Sequence, residues 1–362
     1  MKFFGRIILL INWFAALCLL GAYLSQFISP ANSWIFAFLG LTFPILVLVN
    51  VAFVIYWAFS FNSNIAYSAI ALLIGFWHIP RFIQFGTVKT NEHNNKCINI
   101  VDFNTKNFGA YDEVKYDTSV FFSALRNLNP DIICFQEFVN FKTEIEKPVF
   151  IGLFKEYKNF FKHNVDENST EPTGLSVSIF SRFPIVHSGF IERINGGGNY
   201  TIFADLKIDE DTIRVVNTHL KSIAFDKLDY ETVEEIEEND NETDIRWYHF
   251  KHIAHKLKNA FVARSRQAEM IKNKLEKSKY KVILCGDFND SPASYSYKTI
   301  RGKMKDAFIE SGSGFSSTYI GKMPSFRIDY ILCDKSFEVF NYKPSAMNFG
   351  DHLMLSATIK LK

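Results

Sequence analysis

Lys281-Val-Ile-Leu-Cys-Gly-Asp-Phe-Asn289 decides the reading of this chain. Val282 to Cys285 is a short apolar run of strand type, and Gly286 is expected to release the chain into a loop. Asp287 and Asn289 then project from the C-terminal end of a strand. The same grammar recurs along the chain. Asn104 ends the run from Cys97, Gln136-Glu137 follows Asp131-Ile-Ile-Cys-Phe135, and Asn217-Thr218-His219 closes the run from Ile213. Arg327-Ile328-Asp329-Tyr330 opens a further strand, and Asp351-His352 directly precedes the last, Leu353 to Ile359. Carboxylates, amides and two histidines delivered to strand ends can converge on a divalent metal and a phosphate.

This ordered set resembles the endonuclease/exonuclease/phosphatase superfamily, which includes deoxyribonuclease-like nucleases, abasic-site endonucleases, neutral sphingomyelinases and inositol-polyphosphate phosphatases. The resemblance covers roughly Cys97 to Lys362, and Gly174 to Ile185 is similar to the family's strand leading to a Ser-Arg-x-Pro turn. It implies a four-layer α/β sandwich, two packed mixed sheets with helices outside, over residues 95–362. It also implies Mg2+ as cofactor, with Mn2+ as a substitute. Glu137 is the leading metal ligand, with Asn104 and Asp351 completing or orienting the shell. Asp287 positions or deprotonates the attacking water, and Asn289 binds a phosphoryl oxygen or the metal. His352 with Asp329 matches a histidine–carboxylate pair that either activates water or holds the phosphate. His219 matches the histidine that protonates the leaving group or stabilises charge, where abasic-site endonucleases have tyrosine. Pro324-Ser-Phe-Arg-Ile-Asp329 lacks the cysteine of the inositol-phosphate phosphatase signature, which argues against that subfamily.

Composition divides the chain. From Ile7 to Pro80 there is no Asp, Glu, Lys or Arg. Three segments of spanning length fit there, 7–28, 34–59 and 65–85, since a membrane helix needs roughly 20 apolar residues. Residues 1–88 are therefore expected to form a bundle of three transmembrane helices, with Pro44 tolerated inside the second. Lys2 and Arg6 flank the first span, and the two breaks carry no Lys or Arg, so the positive-inside bias favours an extracytoplasmic catalytic region. Setting aside Lys2, Arg6 and Arg81 leaves 37 basic against 38 acidic residues, so no basic footprint for duplex DNA stands out.

Within the catalytic region, helices are expected over Ser119–Leu128 and Lys142–Lys155, and strands over Leu175–Phe180, Tyr200–Ile208 and Thr212–Thr218. Asn195-Gly-Gly-Gly-Asn199 reads as a flexible turn. Asp226–Asp244 holds ten acidic residues and one lysine and reads as a solvated excursion. An amphipathic helix over Ile245–Lys277 follows, with Ile253, Leu257, Phe261, Ala268, Ile271 and Leu275 on one stripe. His249, His252 and His255 step around it by about 60° each, off that stripe, and read as solvent-flanking. Cys134 and Cys285 read as small buried residues, and no cysteine spacing suggests zinc.

The expected function is divalent-metal-dependent hydrolysis of a phosphodiester by a membrane-tethered enzyme. Its substrate is a nucleic acid or nucleotide, on family breadth. A sphingomyelinase-like lipid phosphodiesterase is the alternative, motivated by the tether and the missing basic surplus. A catalytically inactive, membrane-anchored binding protein is the third.

Overall fold

The computed structural model describes residues 2–90, 97–109, 118–138, 152, 155–163, 176–193, 200–223, 243–321 and 326–361. The expected helix Lys142–Lys155, the turn Asn195–Asn199 and the acidic run Asp226–Asp244 lie almost wholly outside them.

The N-terminal part is helical: α1 (Lys2–Leu24), α2 (Ile35–Leu41), α3 (Phe43–Phe59) and α4 (Ile65–Ile74). A 3-10 turn (Phe76–Arg81) and the short β1 (Ile83–Gln84) follow. Next come β2 (Cys97–Asn104), α5 (Thr118–Leu128), β3 (Ile132–Phe138), β4 (Asn159–His163) and β5 (Ser176–Ser181). A meander of β6 (Ile185–Arg193), β7 (Tyr200–Ile208) and β8 (Asp211–His219) leads to the long α6 (Thr243–Leu275). The chain closes with β9 (Lys281–Asp287), α7 (Tyr295–Arg301), β10 (Lys305–Asp306), α8 (Ala307–Ser311) and β11 (Gly314–Phe315). Finally come β12 (Asp329–Cys333), β13 (Glu338–Pro344) and β14 (Leu355–Lys360).

Two mixed six-stranded sheets result, ordered β10-β12-β9-β8-β7-β6 and β13-β14-β2-β3-β5-β4. Their facing sides pack Ile100, Cys134, Ile202, Val215, Ile283 and Ile331 into one core. Val101, Phe103, Phe121 and Phe135 fill the layer under α5, and Ala268, Ile271, Tyr297 and Leu284 the layer under α6 and α7. The four layers match the expected sandwich, and Cys134 and Cys285 are buried in its centre. His252 and His255 are exposed on α6, off the stripe that buries Phe261, Ala268 and Ile271. α7 is fixed at its start by Ser294, whose hydroxyl accepts from Tyr297 N at 3.1 Å. Ser294→Ala is expected to cost about 1 kcal/mol, read as a lower denaturant midpoint at unchanged slope.

The N-terminal helices depart from three straight spans. α1 is long and apolar enough to cross a membrane, from Phe4 to Leu24. The segment expected to be the second span is broken, and α2 and α3 meet at 69°. Pro44 is the cause: it sits in the first turn of α3, where its missing N–H costs nothing, whereas within one continuous helix it would lack the bond to Gly40. The third expected span, 65–85, holds only the ten-residue α4, then the 3-10 turn with Pro80 inside. Ten helical residues rise about 15 Å, half a hydrocarbon core.

Candidate active site

Strand parity builds the site. Side chains two apart share a sheet face, so Ile98, Ile100, Asp102 and Asn104 of β2 all point between the sheets. The same holds for Ile213, Val215, Asn217 and His219 of β8, for Ile283, Cys285 and Asp287 of β9, and for Ile331 and Asp329 of β12. The interior is apolar at one end of these strands and turns polar at the other. Pairing then sets the neighbours: His219 is in register with Asp287 across parallel β8–β9, and Asp329 with Asp287 across antiparallel β9–β12. Contrary to the sequence reading, Gly286 does not release the chain; β9 continues through it to Asp287.

Glu137 breaks the parity rule. Gln136 already occupies the inward position, but β3 carries an extra residue against β5 between Phe135 and Phe138. Glu137 adopts φ +48° there, and the bulge re-aims it into the site. Asn289 likewise has φ +50°. Two of the sequence-selected residues thus sit in a strained backbone region that a surrounding structure must enforce.

Asp287 is the hub. Its Oδ2 accepts from Asn104 Nδ2 at 3.1 Å and from Asn289 Nδ2 at 3.2 Å, while Oδ1 accepts from the Asn289 backbone N–H at 2.7 Å. Asn104 Nδ2 is also 3.3 Å from Glu137 Oε1. His219 Nε2 lies 3.7 Å from both Glu137 Oε1 and Asp287 Oδ2, and His352 Nε2 is 3.9 Å from Asp287 Oδ2. His352 Nδ1 meets both oxygens of Asp329 at 3.0 Å, which orients the ring and directs Nε2 to the site. Asn104, Glu137, His219, Asp287, Asn289, Asp329 and His352 are therefore contiguous. Asp351 borders the same cavity with one oxygen 3.2 Å from Lys106 Nζ, its other oxygen buried without a hydrogen-bond partner.

Burial, then the nearby Asp329, pushes Asp287 up to about 6. Burial also raises Glu137 and lowers His219. Burial would lower His352 too, but the Asp329 carboxylate outweighs it and carries the imidazole up to about 10. The site thus pairs a carboxylate that ionises near neutrality with an imidazolium held charged and a second imidazole held neutral.

Sequence reasoning missed the supporting layer. Gln136 donates to Asp102 Oδ1 at 2.8 Å and Asn217 Oδ1 at 2.7 Å, while Asn217 donates to the Phe135 and Ser178 carbonyls. The bonds of Asn217 cross between the sheets, that of Gln136 to Asp102 joins β3 to β2, and together they lock the bulged strand. Thr318 Oγ1 accepts from the Asp329 backbone N–H at 3.1 Å. Inward parity was the available signal for Asp102. Thr318, in the loop between the two-residue β11 and β12, offered none.

Carboxylates, amides and two histidines thus gather at one end of the strands of an α/β sandwich. Residues 103–352 match the family model described as the Endonuclease/Exonuclease/phosphatase family, and the chain belongs to that family. Its members are hydrolases of phosphoester bonds that generally use divalent metal ions. Residues 5–82 match a separate model, described as a domain of unknown function. No curated protein matches the sequence. Among solved structures, an endonuclease/exonuclease/phosphatase from Bacteroides vulgatus superposes with TM-score 0.52 at 18% identity, covering 74% of this chain and 99% of the other. The human Nocturnin catalytic domain with bound sulfate gives 0.51 at 17%, covering 75% and 97%. A mannosyl-6-phosphatase from Bacteroides thetaiotaomicron gives 0.50 at 16%, covering 73% and 100%. At such identities the likeness is one of fold.

Proposed function

We propose that this chain is a membrane-tethered, divalent-metal-dependent phosphodiesterase, with residues 1–88 as anchor and 95–362 as catalytic domain. The observation that carries the reading is the convergence of Asn104, Glu137, His219, Asn289, Asp329 and His352 on Asp287. The donor set fits a hard cation: Glu137, Asp287, Asp329 and Asp351 bring more negative charge than His352 and Lys106 offset, and oxygen ligands suit Mg2+ or Mn2+. Glu137, Asn104 and Asp351 would hold it. When bound, such a cation neutralises phosphate charge and polarises the phosphoryl oxygen.

The chain's own residues do the rest. Asp287 takes a proton from water, whose oxygen bonds to phosphorus as the ester P–O bond breaks. His219, neutral at rest through burial, takes up a proton when the anionic phosphate binds beside it and passes it to the departing oxygen. His352, oriented by Asp329, and Asn289 hold the non-bridging oxygens. A nucleic-acid substrate rests on family breadth alone. The tether rests on α1 and on the apolar surface it presents with α3, where Phe14 and Leu17 of the first and Leu48 and Phe59 of the second are exposed.

Hydrolysis of bis(p-nitrophenyl) phosphate by the full chain tests this. Activity is expected with Mg2+ or Mn2+, to vanish in EDTA and to return with added metal. His219→Ala should lose about 10²-fold on alkyl leaving groups and much less on nitrophenolate, which needs no proton. Full turnover in EDTA would overturn the metal assignment, and equal losses on both leaving groups would remove His219 from proton donation.

A further inference from the structure

The cavity over the catalytic side chains has a second wall that belongs to the N-terminal helices. Its volume is about 450 Å³, within the range of small-molecule sites. Glu137, Asp287, Asn289, Asp351 and His352 line one side. Leu41 and Ile45, on either side of the α2–α3 bend, line it as well, together with Ile223, Leu257, Phe261 and Ile328. A phosphoryl group at Asp287 is thus flanked by hydrocarbon. A polynucleotide bound there would set its neighbouring phosphates mostly against apolar side chains; the arginine of that lining, Arg264, is turned to Asp290 and the Lys221 carbonyl, which leaves the hydroxyls of Thr42, Ser222, Ser291 and Tyr319.

The position of this wall is as informative as its chemistry. The C-terminal end of α1, the bend between α2 and α3, and the turn after α4 all meet the catalytic part. Ser25 Oγ donates to the Ala293 carbonyl, Phe38 packs edge-on against Phe261 with centroids 5.3 Å apart, and Arg81 Nη1 lies 3.4 Å from the Pro292 carbonyl. Lys298 sits over the Phe27 ring and Lys258 over the Trp34 ring at this same junction. Aromatic rings beside cations mark the level where a bilayer's hydrocarbon gives way to its headgroups. From the cavity, apolar surface continues outward along one face of α3. Ile45, 62% exposed, is followed three and four residues on by Leu48 and Val49, 68% and 37% exposed.

We infer that the substrate is a lipid phosphoester resident in the bilayer, whose hydrocarbon chain lies against Leu41, Ile45, Leu257 and Phe261 while its phosphate reaches Asp287. The inference rests on the proposed phosphodiesterase reading and adds the substrate class. The bend imposed by Pro44 has a role here: a straight second helix would carry Leu41 away from the cavity mouth. The chain of the lipid enters from the α3 face and need not pass through water. Each seated methylene strengthens binding about fourfold, the equivalent of ~0.8 kcal/mol.

The test uses the full chain in nanodiscs with Mg2+ and two diesters that release the same nitrophenolate, ethyl p-nitrophenyl phosphate and hexadecyl p-nitrophenyl phosphate. The hexadecyl ester is expected to be turned over with kcat/KM about 100-fold higher, as a few seated methylenes provide. Partition into the disc also raises that rate, so substitutions separate the two causes. Ile45→Glu should cut the hexadecyl-to-ethyl ratio at least tenfold, and Ile45→Leu should keep it. Leu257→Gln, on α6 rather than on the N-terminal helices, should act as Ile45→Glu does, and it decides the matter if the latter does not fold. Ethyl ester hydrolysis with a ratio near one, or a ratio that both polar variants leave at the native value, overturns the inference alone. Hydrolysis of neither diester overturns the phosphodiesterase reading and this inference with it.

Discussion

Asp287→Asn is expected to lower kcat on bis(p-nitrophenyl) phosphate by about 10²–10⁴-fold while the melting temperature holds. Asp287 is buried, faces Asp329 across the β9–β12 pair, and is pushed up to about 6 by that burial and that neighbour. The folded state therefore carries a desolvated charge beside a second carboxylate, only partly offset by His352, and the amide removes it. The amide oxygen still accepts from the Asn289 backbone N–H. Its nitrogen faces Asn104 Nδ2 and Asn289 Nδ2, and the relief of charge offsets those two lost bonds. Steady-state kinetics and differential scanning fluorimetry check both halves. More than a tenth of native turnover would take Asp287 out of the chemistry. A melting temperature lower by ten degrees would make the lost activity a folding effect.

Gly286→Ala should be the more damaging change to the fold, at roughly 3–5 kcal/mol. Gly286 has φ +139°, and a Cβ there would lie 1.9 Å from the Thr218 carbonyl oxygen and 2.8 Å from its carbonyl carbon. The obstacle is backbone and cannot rotate away. Thr218 is pinned between Asn217, bonded across the sheets, and His219, in register with Asp287. Chemical denaturation measures the cost. A loss under 1 kcal/mol would mean that β8 and β9 separate more readily than their register implies.

Much of this was legible because strands announce themselves simply. Apolar runs ending in Asn104, His219 and Asp287 gave both the strands and the end of the sandwich at which polar chemistry gathers. Glu137 was legible as chemistry but not as geometry. Its entry depends on a one-residue bulge whose partner strand, β5, lies some forty positions away. The hydropathy of residues 7–80 was read correctly as apolar, but length was allowed to outvote Pro44, whose fixed φ and missing N–H decide where α3 starts. Nothing local links Leu41 or Ile45 to Asp287. They share one cavity only through the tertiary fold, which also brings Leu257 and Phe261 of α6 into its lining.

The docking of helices onto the loop after Asp287 and Asn289 bears on how the enzyme can be handled. Ala293, 1% exposed, shares its packing with Leu19, Ala22 and Phe43, and Phe261 is covered in part by Phe38. A chain cut to begin at Lys89 would keep every catalytic side chain and lose this cover. It would expose fresh apolar surface beside its own reaction centre and shed one wall of the cavity. If the proposed function holds, such a fragment should report the rate of phosphodiester cleavage but not substrate choice, and its bared apolar surface should draw detergent into the place meant for substrate. On the proposed reading, selectivity belongs to the helices and the catalytic part together.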